Sequence, residues 1–163
     1  MNRGYEENLT WRSIRAAVFP DLPEERISFT NYFMGVLKRP SNSGPLDQTA
    51  GFANYESDCW NFFNLQVALQ RPRLIVALGK EVVRALSPPN RLGIPSWALG
   101  ESEPFGPLRS IVHKVVLRHN EHVTETGIVA AYHPSYGRGA AKLAAVAADS
   151  EFVASHIEAG GQS

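Results

Sequence analysis

The stretch Ile128-Val129-Ala130-Ala131-Tyr132-His133-Pro134-Ser135-Tyr136-Gly137-Arg138 decides how the rest of this sequence is interpreted. It begins as an apolar run, stops at His133-Pro134, passes through a polar turn that contains glycine, and leads into an Ala-rich segment. An apolar strand that ends in such a turn is typical of an open α/β sheet, in which ligands bind beyond the carboxyl ends of the strands. We therefore expect the turn to form part of a binding site.

Apolar periodicity outside this stretch predicts alternating helices and strands. The predicted helices cover residues 8–19, 53–70, 80–86 and 140–157, and the predicted strands cover 27–30, 74–78, 111–118 and 128–131. Residues 38–51 read as a long loop, and His119-Asn120-Glu121-His122 as a turn. This order of elements predicts an α/β fold, a three-layer sandwich with a mostly parallel central sheet.

Composition narrows the class of protein. The 163 residues suit a single domain, 1–163, with a frayed tail at 158–163. The formal net charge of +0 argues against a polycationic nucleic-acid binder, so any affinity for DNA must come from a local patch. The single cysteine, Cys59, excludes an internal disulfide framework. No apolar run reaches the length of a membrane span, and the polar N-terminus does not read as a signal peptide, so we expect a cytoplasmic location.

Three stretches carry a resemblance to a known family. The first is Ile27–Asn31, which reads as a strand ending in Asn. The second is Cys59 and Leu65-Gln66 followed by Arg71–Gly79, a helix that runs into an apolar strand. The third is His133-Pro134-Ser135. In this order and spacing, from about Leu9 to about Ala154, the sequence resembles the uracil-DNA glycosylase superfamily, and most closely its iron–sulfur, thermophile-type branch.

The resemblance implies a role for each matching residue. Asn31 would hydrogen-bond the edge of a uracil flipped out of DNA, because an amide offers both a donor and an acceptor. His133 would be the catalytic residue that stabilises the charge on the departing base. Ser135 would contact a DNA phosphate, and Tyr136 or Arg138 would fill the gap left by the base. The implied partners are DNA and uracil or a related base, and we expect a monomer.

Two family features have no match in this sequence. The family has an earlier strand followed by a Gly- and Pro-containing motif that holds the water-positioning residue, and nothing in residues 1–8 reads that way. The thermophile-type branch also holds an iron–sulfur cluster with four cysteines, and only Cys59 stands at a matching position. We therefore expect no cofactor and no metal, and a domain that lacks the family's first strand.

Each residue also has a purely structural interpretation. Asn31 could close the turn after its strand, His133 could satisfy a carbonyl, and Ser135 could cap the closing helix. Arg138 could be a solvated cation and Cys59 a small core residue. The three histidines at 113, 119 and 122 invite a metal hypothesis, which the predicted strand and turn disfavour. Arg71 and Arg73 could contact phosphate or simply face solvent.

Three hypotheses remain open from the sequence. The leading one is a DNA glycosylase that hydrolyses the N-glycosidic bond of a flipped base. The second is a non-catalytic nucleic-acid or nucleobase-binding module, or a truncated, inactive family member. The third is an α/β protein of unrelated function, in which Asn31 and His133 would not face one pocket.

Overall fold

The computed structural model describes residues 27–28, 30–33, 52–87, 91–98, 104–133 and 140–159. The helices are α1 (Phe52–Gln70), α2 (Lys80–Leu86) and α3 (Ala140–Ala159), and the strands are β1 (Leu74–Leu78), β2 (His113–His119) and β3 (His122–Ala131). Two short 3₁₀ helices, Pro95–Trp97 and Gly106–Leu108, lie between α2 and β2. The predicted helix at 8–19 and the predicted loop at 38–51 lie outside the described residues, and so do Ser135, Tyr136 and Arg138.

The described strands form one sheet in the order β1-β3-β2. Strands β1 and β3 are parallel, with Leu74 opposite Gly127 and Leu78 opposite Ala131. Strands β2 and β3 are antiparallel and form a hairpin whose turn holds Asn120 at a φ of 51°. The α/β class is confirmed. The described sheet is small and mixed, so these residues do not confirm the mostly parallel, three-layer arrangement.

The start of β3 differs from the sequence prediction. The strand begins at His122 rather than at Ile128. Its first half alternates exposed Val123 and Glu125 with buried Thr124 and Thr126, as expected of a strand paired in a hairpin. Its second half, Ile128 to Ala131, is buried throughout, because β1 pairs with all four residues and apolar side chains cover both faces.

The predicted strand at 27–30 does not form in the described residues. Ile27, Ser28, Thr30 and Asn31 have no regular secondary structure. A strand needs a neighbour to accept and donate its backbone hydrogen bonds, and none of these residues pairs with a described strand. Instead, the Thr30 hydroxyl lies 3.0 Å from Oε1 of Gln66 on α1, which fastens this segment to the helix.

The core occupies both faces of the central strand. Ile128 and Ala130 belong to the main apolar cluster, together with residues of α1 and the fully buried Trp97. Val129 points to the opposite face, where it packs with Val153 of α3. This alternation follows from the two-residue period of a strand, and it sandwiches the carboxyl end of β3 between two helices.

Strand β1 is less covered than its apolar sequence predicts. Within the described residues it pairs only with β3, and four of its five residues are half-buried although the strand reads Leu-Ile-Val-Ala-Leu. Continuously apolar strands normally belong to sheets that cover them on all sides. The second edge of β1 faces the cleft described below.

Candidate active site

A cleft of about 970 Å³ lies along β1, at the edge that has no partner strand among the described residues. Its lining comes from Ile27, Ser28 and residues 30–32, from the end of α1, from strand β1 and from His133. Asn31 and His133 are about a hundred positions apart in the sequence and line this same cleft. The hypothesis that they do not face one pocket is therefore disfavoured.

The direction of the Asn31 segment can be worked out from its contacts with α1. Thr30 contacts Gln66, near the end of the helix, whereas Phe33 stacks on Tyr55, near its start, at a ring distance of 6.4 Å. The segment therefore runs antiparallel to α1. Because α1 leads through a short reversal into β1, the segment runs in the same direction as β1. Exposed Asn31, the residue after Thr30, lines the cleft beside this strand.

His133 lies two residues beyond the end of β3 and is half-buried. It lines the cleft and also a smaller pocket of about 700 Å³, which Phe105, Tyr132 and Gly79 help to form. Burial lowers the pKa of His133 below its ordinary value of 6.5. The imidazole is therefore mainly neutral at pH 7, with one ring N–H to donate and one ring nitrogen to accept.

Gly79 brings the end of β1 close to His133. Its φ of 92° belongs to a region that side chains disfavour, and its N–H donates to the carbonyl of Ala131 at 2.8 Å. A β-carbon at this position would lie 3.6 Å from Cβ of His133. Glycine therefore allows the turn between β1 and α2 that closes this side of the site.

Tyr132, the residue before His133, contacts an ion pair between Arg109 and Asp149 that is mostly buried. We name these three residues the Tyr132 cluster. The Tyr132 N–H donates to Oδ2 of Asp149 at 2.8 Å. Nη1 of Arg109 donates to Oδ1 of Asp149 at 3.0 Å and to the carbonyl of Ala145, also at 3.0 Å. The guanidinium carbon lies 4.3 Å from the centre of the Tyr132 ring, a cation–π contact.

The residue after Asn31 is held by a second group, which we name the Tyr32 cluster: Tyr32, Arg91 and Glu56. Nη1 of Arg91 donates to the Tyr32 hydroxyl at 2.7 Å and to Oε1 of Glu56 at 3.1 Å. It also donates to the carbonyl of Ala85. Tyr32 is buried, and burial raises the pKa of its phenol. Sequence reasoning identified neither cluster, because their members are far apart in the chain.

The opposite end of the cleft is basic. Arg71, Arg73 and Lys114 line it, and all three are exposed. Arg71 and Arg73 precede β1, and five residues separate Arg73 from Leu78, a distance of about 16 Å at roughly 3.3 Å per residue. The cleft therefore has His133 beyond the carboxyl end of β3 and basic side chains near the amino end of β1, a local positive patch of the kind that contacts phosphates.

The described residues contain no group of three or more His, Cys, Asp or Glu side chains that could hold a metal ion. His119 and His122 are opposite each other in the β2–β3 hairpin, and His113 lies at the far end of β2. Likewise, among the helices of the described ranges none combines the length and the apolar character needed to cross a membrane.

The comparison with known families identifies the chain. The family model of the uracil DNA glycosylase superfamily matches residues 4–150, most of the sequence. The chain therefore belongs to the uracil DNA glycosylase superfamily, as its three motifs predicted. A search of curated proteins found no match, and a search of solved structures found none either.

The residues present do not fit the iron–sulfur cluster of the thermophile-type branch. Such a cluster needs four cysteine thiolates, and this sequence has one cysteine. Cys59 is 2% exposed on α1 and packs in the main apolar core, as a small hydrophobic residue would.

Proposed function

We propose that this protein excises uracil, or a closely related base, from DNA by hydrolysing the N-glycosidic bond. Membership of the superfamily supports a glycosylase-type function in DNA repair. The observation that carries the proposal for this chain is that Asn31 and His133 line one cleft along β1, and that His133 follows the carboxyl end of β3, which is parallel to β1. That is the edge at which open α/β sheets bind their ligands.

In the proposed reaction the base enters the cleft after it has been flipped out of the DNA. The amide of Asn31 donates to one polar atom of the uracil edge and accepts from its neighbour. When the glycosidic bond breaks, its electron pair stays with the base, and negative charge builds on the uracil oxygens. The neutral imidazole of His133 donates a hydrogen bond from its ring N–H to that charge and keeps its proton, and a water oxygen bonds to the sugar carbon. The proton that the water loses passes to solvent, and the departed base takes up a proton from solvent.

Neutral His133 suits this role because a donor that is already neutral keeps its proton as the base departs. An exposed histidine of ordinary pKa would be partly protonated just below pH 7. Burial shifts the balance toward the neutral form. We expect kcat to be constant above the lowered pKa of His133, where the imidazole is neutral. We expect kcat to fall below that pKa, where the imidazole becomes protonated. A profile of kcat against pH for the wild type tests this.

Glu81 is the candidate for positioning the water. Within the described part of the chain, the residues that line the cleft include no Asp or Glu, and those that line the smaller pocket include Glu81 beside His133. Glu81 is largely exposed and lies 3.8 Å from Arg84. Glu81→Gln is expected to lower kcat at least tenfold, whereas Glu125→Gln, on the exposed hairpin face, is expected to leave it unchanged.

The second candidate function is a module that binds DNA or a nucleobase without chemistry. The lack of a carboxylate among the described residues of the main cleft favours it, because hydrolysis needs a group that orients water. Both functions require the cleft to bind DNA. They differ only in whether a base is released.

Incubation with uracil-containing single- and double-stranded oligonucleotides, followed by alkaline cleavage of abasic sites, separates the two functions. Strand scission by the wild type supports the enzyme. We expect His133→Ala to lower the rate by about 100- to 1,000-fold, comparable with the removal of one transition-state donor elsewhere. His122→Ala and Asn61→Ala are matched controls for His133→Ala and Asn31→Ala, because both control residues are exposed outside the two pockets.

The controls also decide the assigned roles. If scission persists unchanged in His133→Ala and Asn31→Ala, another site performs the chemistry. If the wild type gives no scission at high protein excess but binds the oligonucleotides in a salt-dependent way, the binding module is the correct function.

A further inference from the structure

In the Tyr132 cluster, a side chain of α3 is hydrogen-bonded to the main chain of Tyr132, the residue before His133. Asp149 lies in the middle of α3 and is 3% exposed. One carboxylate oxygen accepts the N–H of Tyr132, and the other accepts Nη1 of Arg109. Tyr132 stands between the last residue of β3 and His133. The hydrogen bond from Tyr132 therefore fixes the Ala131–Tyr132 peptide, one peptide unit before the one that leads into His133.

Arg109 contacts β3, α3 and the Tyr132 ring, and so adds to the restraint on Tyr132. Its backbone forms a parallel bridge with Ala130 of β3, so its position is tied to the same strand. Its guanidinium bonds Asp149 and the carbonyl of Ala145, which fixes it to α3. The same guanidinium stacks on the Tyr132 ring, whose other contacts include an edge-to-face pair with Phe105 at 5.3 Å. Backbone and ring of Tyr132 are thus both restrained.

A buried carboxylate at this place needs an explanation beyond stability. Desolvation of an ion pair costs free energy that its Coulomb attraction only partly returns, and apolar residues of similar volume often stabilise a fold as well or better. What the pair supplies that an apolar contact would not is direction, because a carboxylate that accepts two bonds fixes the angles of both donors. The residue that benefits is His133, the next one along the chain.

We propose that Asp149, held by Arg109, is a positioning residue that sets the orientation of the His133 imidazole in the cleft. This inference deepens the proposed function, since it concerns the residue that is proposed to stabilise the leaving base. Neither Asp149 nor Arg109 lines the cleft or the smaller pocket, so their effect is transmitted through Tyr132.

The test compares Asp149→Asn with Val153→Ala. The asparagine keeps an acceptor for the Tyr132 N–H but loses the ion pair with Arg109. Val153 lies one turn further along α3, is 1% exposed and packs under β3 in the apolar cluster around Val129. Its truncation destabilises the same helix through a cavity alone. Arg109→Lys serves as the conservative variant, because it keeps a cation but loses the planar, two-sided contact.

The first readout is the NMR signal of the His133 ring, Cε1–Hε1, assigned by its disappearance in His133→Gln. We expect this signal to move in Asp149→Asn, to move less in Arg109→Lys, and to stay in place in Val153→Ala, all measured where each variant is fully folded. This readout does not depend on any enzymatic activity, so it tests the positioning role even if the proposed reaction is wrong.

The second readout is the split between kcat and KM on uracil-containing DNA. Displacement of a catalytic group by about an ångström costs up to about 100-fold in rate. We expect kcat to fall by about 10- to 100-fold in Asp149→Asn, with KM little changed, and no fall in Val153→Ala. An unmoved His133 signal in Asp149→Asn, or an equal movement in Val153→Ala, overturns the proposal. A moved signal in Asp149→Asn alone upholds it, whether or not the wild type releases a base.

Discussion

The Tyr32 cluster and the Tyr132 cluster use the same chemistry to different ends. In each, an arginine paired with a carboxylate holds a tyrosine that neighbours a proposed site residue. In the Tyr132 cluster, the carboxylate of Asp149 accepts the backbone N–H of the tyrosine, and the Asp149 side chain is 2% exposed. In the Tyr32 cluster, Arg91 donates to the phenol hydroxyl, at the far end of the tyrosine side chain. The Glu56 side chain in this cluster is 23% exposed.

This difference has a consequence for the two proposed site residues. A bond to the backbone N–H of Tyr132 restrains the main chain that leads into His133, and the proposed role of Asp149 rests on this restraint. A bond to the phenol fixes the Tyr32 side chain in the core without acting on its backbone, and Asn31 is exposed. We therefore expect the histidine side of the cleft to be preorganised and the asparagine side to adjust when a base binds.

The largest effect on stability is expected from Arg109→Met. This change leaves the nearly sealed carboxylate of Asp149 without its cation, and breaking a buried pair in this way costs about 3–5 kcal/mol. Unfolding in urea, monitored by Trp fluorescence, measures the loss. Arg118→Met, at an exposed position on β2, is the matched control and should cost little. A loss below about 1 kcal/mol for Arg109→Met would show that the pair is already solvated.

A smaller loss is expected from Arg91→Met. Glu56 is more exposed than Asp149, so water can replace much of what its carboxylate loses. The phenol of Tyr32 and the carbonyl of Ala85 lose their donor as well. Lost hydrogen bonds to a charged group suggest a cost of about 1.5–3 kcal/mol. The same urea titration measures it. If Arg91→Met proved more costly than Arg109→Met, the ranking of the two clusters would be wrong.

Tyr32→Phe isolates the hydroxyl contact of the Tyr32 cluster. The ring stays packed against Phe33 and Phe63, at ring distances of 5.0 and 5.9 Å, while the bond from Arg91 is lost. We expect a loss of about 1 kcal/mol, the usual net value of one hydrogen bond. Thermal unfolding of the two proteins provides the measurement. The His133 ring signal should not move, because this cluster lies beside Asn31, and a movement would contradict the separation of the two clusters.

The smallest expected effect is a dependence of stability on pH. Burial lowers the pKa values of His113 and His133 below 6.5, so between those lowered values and 6.5 the unfolded chain binds protons that the folded chain does not. Their contribution to stability is complete above about pH 6.5 and declines as the pH falls toward the folded-state values. Urea titrations at about pH 8 and about pH 5.5 measure this decline. His113→Gln should reduce it, and an unchanged slope in that variant would remove His113 from this account.

Local sequence patterns correctly predicted the helices and strands that glycine or proline residues delimit. The run Leu74–Leu78 followed by Gly79 gave strand β1 with the bounds that the structure has, and helix α2 also ends where it was predicted. The closing helix extends to Ala159, two residues past its predicted end and into the predicted tail. In these segments the periodicity and the breaking residues agree, so local preference and tertiary packing act in the same direction.

Long-range partners explain what the sequence did not predict. The segment at 27–30 has the alternation of a strand, yet it has no described strand to pair with. The amino half of β3 becomes a strand because β2 pairs with it, although its own pattern is polar. The two clusters join residues 40 and 59 positions apart, and no local pattern marks such pairs. The site residues Asn31 and His133 came from the family resemblance, and their roles remain predictions.

The most direct test of the central claim is the release of free base. A single-stranded oligonucleotide with one isotopically labelled uracil is incubated with protein in excess, and the small-molecule fraction is analysed by mass spectrometry. We predict labelled free uracil and an intact strand with an abasic site from the wild type and from His122→Ala, and strongly reduced release from His133→Ala. No labelled uracil from the wild type, or equal release from His133→Ala, would contradict the assignment of this cleft as a base-excising site.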